Sequence, residues 1–138
     1  MKTMTTGLRW WVRIVGTVMI VLGLSIWTGN FDRLIPFHIL LGVTLVIALW
    51  LLAIIAAESG VQLGLVALAV AWGLIMPALG LTQERLLPGS AHWVIQIVHL
   101  LVGLGAIGQA ENLARQIGRR HALQQGARGA SALERIPR

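Results

Sequence analysis

Residues 86–110 read LLPGSAHWVIQIVHLLVGLGAIGQA and contain no Asp, Glu, Lys or Arg. A helix needs about 20 mainly apolar residues to cross the hydrocarbon core of a bilayer, so this stretch is long enough to span a membrane. It carries two titratable side chains, His92 near its start and His99 well inside the apolar run. Because an ionisable group is costly in the hydrocarbon region, such a residue indicates a functional site.

The composition of the whole chain is that of an integral membrane protein. Of its 138 residues, 57% are hydrophobic and 12% are charged, whereas a soluble domain is about one quarter charged. The absence of cysteine excludes disulfides, iron–sulfur ligation and thiolate ligation of a haem. The basic segment Met1–Arg13 resembles the start of a signal peptide, but no small-residue cleavage site ends the apolar run that follows, so we expect a retained first helix.

Charged and turn-forming residues divide the chain into four apolar segments. From them we predict four helices, at about residues 10–29, 34–57, 61–82 and 90–112. Short connections force consecutive helices to be antiparallel neighbours. The predicted fold is an all-α, up-down four-helix transmembrane bundle over residues 1–112, followed by a basic helix extension and tail over residues 113–138.

The distribution of Lys and Arg predicts the orientation of the bundle. Nine of the eleven basic residues flank the two chain ends, and only Arg33 and Arg85 lie in the other connections. By the positive-inside rule we expect both termini in the cytoplasm and a multi-pass protein of a bacterial inner membrane. The tail from Gly126 to Arg138 has no core-forming pattern. We interpret it as disordered or bound to lipid headgroups, with a docking segment for a partner as the alternative.

An internal near-repeat marks the second and fourth predicted helices. Residues 37–43 read FHILLGV and residues 98–104 read VHLLVGL, an offset of 61 positions. The same offset places helix 1 on helix 3, with Trp11 on Trp72 and Ile14 on Ile75. A duplicated helical hairpin explains both matches and relates the halves by a pseudo-two-fold axis along the membrane normal.

That axis predicts that His38 and His99 face each other across the bundle, because helices 2 and 4 are diagonal in an up-down arrangement. Each histidine belongs to an inward stripe with alternating spacings of four and three residues. The two predicted stripes are His38, Gly42, Leu45, Leu49, Leu52 and Ala56, and His92, Gln96, His99, Gly103, Ala106 and Ala110. Both are polar or small towards the outer side, so we expect a roomy outer half and a filled inner half.

Two facing imidazoles are the axial ligand set of a b-type haem. Gly42 and Gly103 follow His38 and His99 by one turn and remove side chains that would collide with the macrocycle. The outer-side cations Arg33 and Arg85 are candidates to pair with the haem propionates. Counted from the helix starts, the depths of the two histidines differ by about 6 Å, which leaves His92 as an alternative ligand.

On these residues the chain resembles the small four-helix membrane cytochromes b, in the broad sense that includes the cytochrome b561-like proteins. The resemblance covers helices 2 and 4 and rests on His38 with Gly42 and His99 with Gly103. It implies a membrane electron carrier that exchanges electrons with quinol or another redox partner, alone or within a larger redox complex. Members of those families often hold two haems, whereas this sequence has no intramembrane histidine in its inner half, so we expect one haem at the outer side.

Two other functions remain open from the sequence. His38, His92 and His99 could together bind copper or zinc near the outer surface. Alternatively, the chain is a cofactor-free accessory or small transport protein whose Gly and Ala stripes serve close helix packing. No catalytic residues of a hydrolase are recognisable, the positive charge gives no reason to expect nucleic acid, and the expected partners are the lipid bilayer and, in one interpretation, a second copy.

Overall fold

The computed structural model describes residues 2–29 and 31–133. They form four helices, α1 (Lys2–Trp27), α2 (Ile35–Glu58), α3 (Leu63–Thr82) and α4 (His92–Leu133), with short 3-10 turns at Asp32–Leu34 and Gln83–Arg85. No strand occurs within these two described stretches. Each of the four helices is long and apolar enough to cross a membrane. The predicted all-α class with four candidate spans is therefore confirmed.

The helix ends follow from local sequence chemistry. Pro36 lies in the first turn of α2, where its missing N–H interrupts no hydrogen bond. At the other end of α2, the Ser59 hydroxyl donates to the Ile55 carbonyl at 2.7 Å. Gly60 then adopts a φ of +72°, a conformation that is free of strain only without a side chain. The chain can therefore reverse within four residues and start α3.

The helices pack as a bundle in which each consecutive pair is in contact and α4 closes against α1. α2 and α4 also touch across the bundle, whereas α1 and α3 have no contact among the described residues. The shorter diagonal therefore joins the two helices that carry the histidines. We call the end with the α1–α2 and α3–α4 connections the outer end, and the end with the α2–α3 turn the inner end.

The hydrophobic core occupies the inner part of the bundle. The apolar members of both predicted stripes are buried there, which confirms the inward faces: Leu45, Leu49, Leu52 and Ala56 on α2, and Ala106 and Ala110 on α4. The outermost buried hydrophobic side chains of the four helices are Val15, Leu45, Met76 and Ala106. Beyond them, no hydrophobic side chain in the described part of the chain is buried. The packing is thus tight inside and loose outside.

Two tryptophans lock neighbouring helices together. The Trp72 indole of α3 donates to the Val102 carbonyl of α4 at 2.8 Å, and its ring lies where a side chain at Gly105 would otherwise be, 2.8 Å from the ideal Cβ position. Trp50 of α2 packs in the same way on Gly73 of α3 and donates to the Val70 carbonyl at 3.3 Å. Both contacts fix the close approach of adjacent helices.

An ion cluster joins α1 and α4 at the inner end. The Glu111 carboxylate accepts hydrogen bonds from Arg9 at 2.8 Å and from Arg13, and the Arg13 guanidinium also lies 5.2 Å from the centre of the Trp10 ring. Two cations on one carboxylate fix the register of the two helices.

α4 is longer than the sequence predicted. It continues beyond residue 112 through the glycine-rich segment to Leu133, so residues 126–133 are helical rather than irregular. Leu113, Ala114 and Ile117 extend the core, and every described residue from 118 to 129 is exposed except the half-buried His121. The basic residues Arg135 and Arg138 lie outside the described residues.

Candidate functional site: a histidine pair at the outer end

The outer, loosely packed part of the bundle contains a pair of histidines. The imidazole rings of His38 on α2 and His99 on α4 have their centres 6.1 Å apart and are inclined by 45°. Each residue lies seven positions outward of the outermost buried hydrophobic residue of its own helix, Leu45 and Ala106. His38 and His99 therefore lie at the same depth relative to the core. The difference of about 6 Å expected from the helix starts arises because α4 begins about one turn further out from its histidine than α2 does.

Each ring has one nitrogen that is buried without a partner. The Nδ1 atoms of both His38 and His99 are buried and form no hydrogen bond with any described residue. A buried polar atom without a partner is unfavourable, because it has lost hydration and gained nothing in exchange. Two such atoms on neighbouring rings are candidate ligand atoms for a metal ion or a cofactor.

Glycines on the other two helices pack against the rings. The Cε1 atom of His38 lies 3.4 Å from the ideal Cβ position of Gly23 on α1, and that of His99 lies 3.1 Å from the corresponding position of Gly80 on α3. The two contacts use the same ring atom and involve one glycine each, so the site is built from two similar halves.

This similarity corrects the alignment of helix 1 with helix 3. Each of α1 and α3 carries two glycines that are seven residues apart. The inner glycine, Gly16 on α1 and Gly73 on α3, packs against a side chain of a neighbouring helix. The outer glycine, Gly23 on α1 and Gly80 on α3, packs against a histidine ring. The matching positions differ by 57 residues, and the predicted matches of Trp11 with Trp72 and Ile14 with Ile75 are wrong by about one turn. The four extra residues of the second half lie between Gly80 and His99, which are 19 positions apart, whereas Gly23 and His38 are 15 positions apart.

The ring separation can be compared with that of two imidazoles on one metal ion. Metal–imidazole nitrogen bonds are about 2.0 Å long, which places the two ring centres roughly 6 Å apart when the rings lie on opposite sides of the ion. The observed 6.1 Å is close to this value. The donor set is neutral nitrogen only, which is the set that a bis-imidazole haem uses. The ring separation is therefore compatible with His38 and His99 as the two axial ligands of a haem iron.

The two glycines expected to make room for a macrocycle differ in their surroundings. A Cβ at Gly103 would meet nothing within 4 Å, so the space beside His99 is open. At Gly42 the corresponding position is 3.3 Å from the terminal methyl group of Met19. Because a methionine side chain is flexible, its end can move aside.

The two outer cations lie near the site in sequence but are not held in it. Arg33 and Arg85 belong to the 3-10 turns at the outer end, and both are exposed. Neither forms an ion pair with another described residue. Their long side chains are thus free to pair with an anionic group at the mouth of the bundle.

His92 does not join the pair. It begins α4, seven residues outward of His99, and its Nδ1 atom lies 3.4 Å from the Leu86 carbonyl oxygen. No group of three or more His, Cys, Asp or Glu residues that could hold a metal ion exists within residues 2–29 and 31–133. The expectation that His38, His92 and His99 converge is wrong, because about 10 Å of helix separates His92 from His99.

Sequence reasoning missed Gly23 and Gly80. Both belong to helices without a titratable residue in the outer half, so no chemistry-bearing side chain drew attention to them. The seven-residue spacing that each shares with a second glycine is the signal that could have identified them. No protein-family model, curated protein or solved structure matches this chain.

Proposed function

We propose that this chain is a multi-pass membrane protein that holds one b-type haem between His38 and His99. It exchanges electrons at the outer end of the bundle with quinol or another redox partner, alone or as a subunit of a larger redox complex. We place it in the inner membrane of a bacterial cell with both termini in the cytoplasm, on the distribution of Lys and Arg.

The observation that carries the proposal is the pair of imidazoles with centres 6.1 Å apart, each with a buried nitrogen that lacks a partner. A haem with two imidazole ligands supplies reversible one-electron transfer. The described residues contribute the rest: the histidines bind, Gly23 and Gly80 set the ring orientations, and the open space at Gly103 leaves room beside one ligand.

The electrostatic setting supports the same interpretation. Arg33 and Arg85 are exposed in the connecting turns and form no ion pair with another described residue, including the neighbouring Asp32 and Glu84. The turns thus offer guanidinium groups for the propionates of a haem at the bundle mouth. The exposed position of these groups is suited to a docking partner that approaches from outside the membrane.

A reduced-minus-oxidised absorption spectrum of the purified protein, produced with sufficient haem supply, tests the proposal. We expect the spectrum of a b-type cytochrome with one haem per chain. His38→Ala and His99→Ala should each lose it, while His92→Ala, the matched control, should retain it. A colourless wild-type protein, or haem retained in the double variant at His38 and His99, would contradict the proposal. Copper or zinc in the colourless protein would assign the pair to a simple metal ion instead.

A further inference from the structure

Two methionines occupy equivalent positions on α1 and α3. Met19 precedes Gly23 by four residues, and Met76 precedes Gly80 by the same number. The two methionines are 57 positions apart, which is also the offset between the glycines of the two helices. The other two methionines of the chain are among its first four residues. Both methionines inside the bundle therefore follow the internal symmetry of the histidine site.

The two methionines lie one helical turn inward of the histidine pair. The glycine four residues after each of them packs against a ring, which places the methionine about 6 Å further inward along its helix. The terminal methyl group of Met19 is 3.3 Å from the ideal Cβ position of Gly42, which itself lies one turn inward of His38. Met76 is buried, with 8% of its surface exposed. Two thioethers thus belong to the turn next to the two imidazoles.

The surroundings of the pair offer an ion no charged ligand. No group of three His, Cys, Asp or Glu residues that could hold a metal ion occurs in residues 2–29 and 31–133, and the chain has no cysteine. The acidic residues of the outer turns, Asp32 and Glu84, are exposed. An ion bound by the two histidines must therefore take its further side-chain ligands from neutral groups. On the inner side of the rings, the thioethers of Met19 and Met76 are such groups.

We propose that His38, His99, Met19 and Met76 form a site for Cu(I) in the chain before haem is bound. Thioether sulfur is a soft ligand that selects Cu(I). The free energy of burying an ion in a medium of low dielectric constant becomes more unfavourable as its charge increases, so four neutral donors favour a monovalent ion over Zn(II).

The geometry of the pair is compatible with such an ion. Ring centres 6.1 Å apart place the imidazoles of His38 and His99 on nearly opposite sides of a metal ion. A methionine side chain has three rotatable bonds, so a thioether one turn away can approach the ion from the inner side. A Cβ at Gly103 would meet nothing within 4 Å, which leaves space for this movement.

Cu(I) and haem exclude each other, because both require the imidazoles of His38 and His99. The inference goes beyond the proposed haem and does not depend on it, since the four side chains bind Cu(I) whether or not the histidines also ligate haem. Loading of the haem-free protein with Cu(I) should therefore prevent later uptake of haem.

Titration of the full-length protein, produced without haem, with Cu(I) in competition with a chromophoric Cu(I) chelator tests the proposal. We expect one Cu(I) per chain and weaker binding of Zn(II). The double variant Met19→Leu/Met76→Leu should bind Cu(I) at least about tenfold more weakly, since even residues that only orient a ligand alter metal affinity by that factor. Met4→Leu, at an exposed methionine near the start of α1, is the matched control and should bind like wild type. A wild type that binds no Cu(I), or a double variant with unchanged affinity, would overturn the proposal.

X-ray absorption at the copper edge of the loaded wild type is a second measurement, which does not depend on the stability of any variant. We expect sulfur as well as nitrogen neighbours of the copper, and nitrogen alone would overturn the role of the methionines.

The haem spectrum of the double variant separates this proposal from the proposed function. Leucine has a volume similar to that of methionine, so the variant should keep the haem spectrum of the wild type while its affinity for Cu(I) falls. A wild type that binds Cu(I) through sulfur and nitrogen but takes up no haem would support the copper site and contradict the haem. A wild type that takes up haem but no Cu(I) would overturn the copper site alone.

Discussion

The imidazole rings of His38 and His99 have their centres 6.1 Å apart, although 61 residues separate them in sequence. Each ring contacts a glycine of the neighbouring helix through the same carbon atom. The pair is therefore placed by four helices and not by the two that carry it. Changes on α1 and α3 should alter the pair without removing either histidine.

Gly80→Ala is the most direct change of this kind. The added Cβ would lie 3.1 Å from the His99 Cε1 atom, which is close enough to require the ring to shift. Residues that orient a metal ligand typically alter metal affinity by 10- to 100-fold, so we expect haem binding at least about tenfold weaker than in wild type. Haem transfer to apomyoglobin measures the change. Gly64→Ala, at the other end of α3 with 4.0 Å of clearance, should have no effect; equal loss in both variants would contradict a role for Gly80 in positioning the ring.

Trp72→Phe should destabilise the protein modestly. The phenyl ring still packs on Gly105, but the hydrogen bond to the Val102 carbonyl at 2.8 Å is lost. A net hydrogen bond contributes about 1 kcal/mol, so thermal unfolding in detergent should occur a few degrees lower. Trp50→Phe removes a longer bond of 3.3 Å and should have a smaller effect. A larger effect at Trp50 would show that the two contacts are not ranked by hydrogen-bond length.

Glu111→Gln should loosen the attachment of α1 to α4. The carboxylate is shared by Arg9 and Arg13, and a neutral amide leaves both cations without their counter-charge. The ion pairs are partly exposed, so we expect a small decrease in thermal stability at low ionic strength. The difference from wild type should shrink in about 1 M salt, where charges are screened within about 3 Å. Glu58→Gln, which alters a carboxylate outside any ion pair of the described residues, is the matched control. A stability difference that does not depend on salt would contradict an electrostatic role.

Much of the bundle could be predicted because it depends on periodicity. The spacing of Leu45, Leu49 and Leu52 on α2 predicts an inward face, and all three are buried. The meeting of His38 with His99 followed from the same reasoning, since the repeat places them at matching points of two diagonal helices. Local patterns of this kind are sufficient wherever one face of a helix determines its packing.

Other features could not be predicted because they depend on tertiary contacts. Gly23 and Gly80 contact the histidines only through the packing of α1 on α2 and α3 on α4, which no single helix encodes. The helix over residues 126–133 was missed for a different reason, because its glycine content disfavours a helix and its residues 126–129 are exposed rather than packed. The role of the pair as haem ligands stays a prediction, because ring proximity is a necessary condition for ligation and not a sufficient one.

The orientation of the bundle predicts opposite labelling of its two ends. Because most basic residues flank the chain termini, Ser90→Cys in the α3–α4 connection should react with a membrane-impermeant maleimide in intact cells. Gly129→Cys, exposed near the C-terminal end of α4, should react only after the membrane is disrupted. The reverse pattern would place the termini outside the cytoplasm.

Gly103→Leu tests whether the macrocycle of the proposed haem occupies the space beside His99. A Cβ at Gly103 or at Gly108 meets nothing within 4 Å, so both leucine variants should fold. Gly103→Leu fills the space one turn from His99 and should abolish the haem spectrum. Gly108→Leu, nine residues from His99 in the inner half of α4, is the matched control and should keep the spectrum. A Gly103→Leu variant that keeps its haem would show that the macrocycle does not occupy this space.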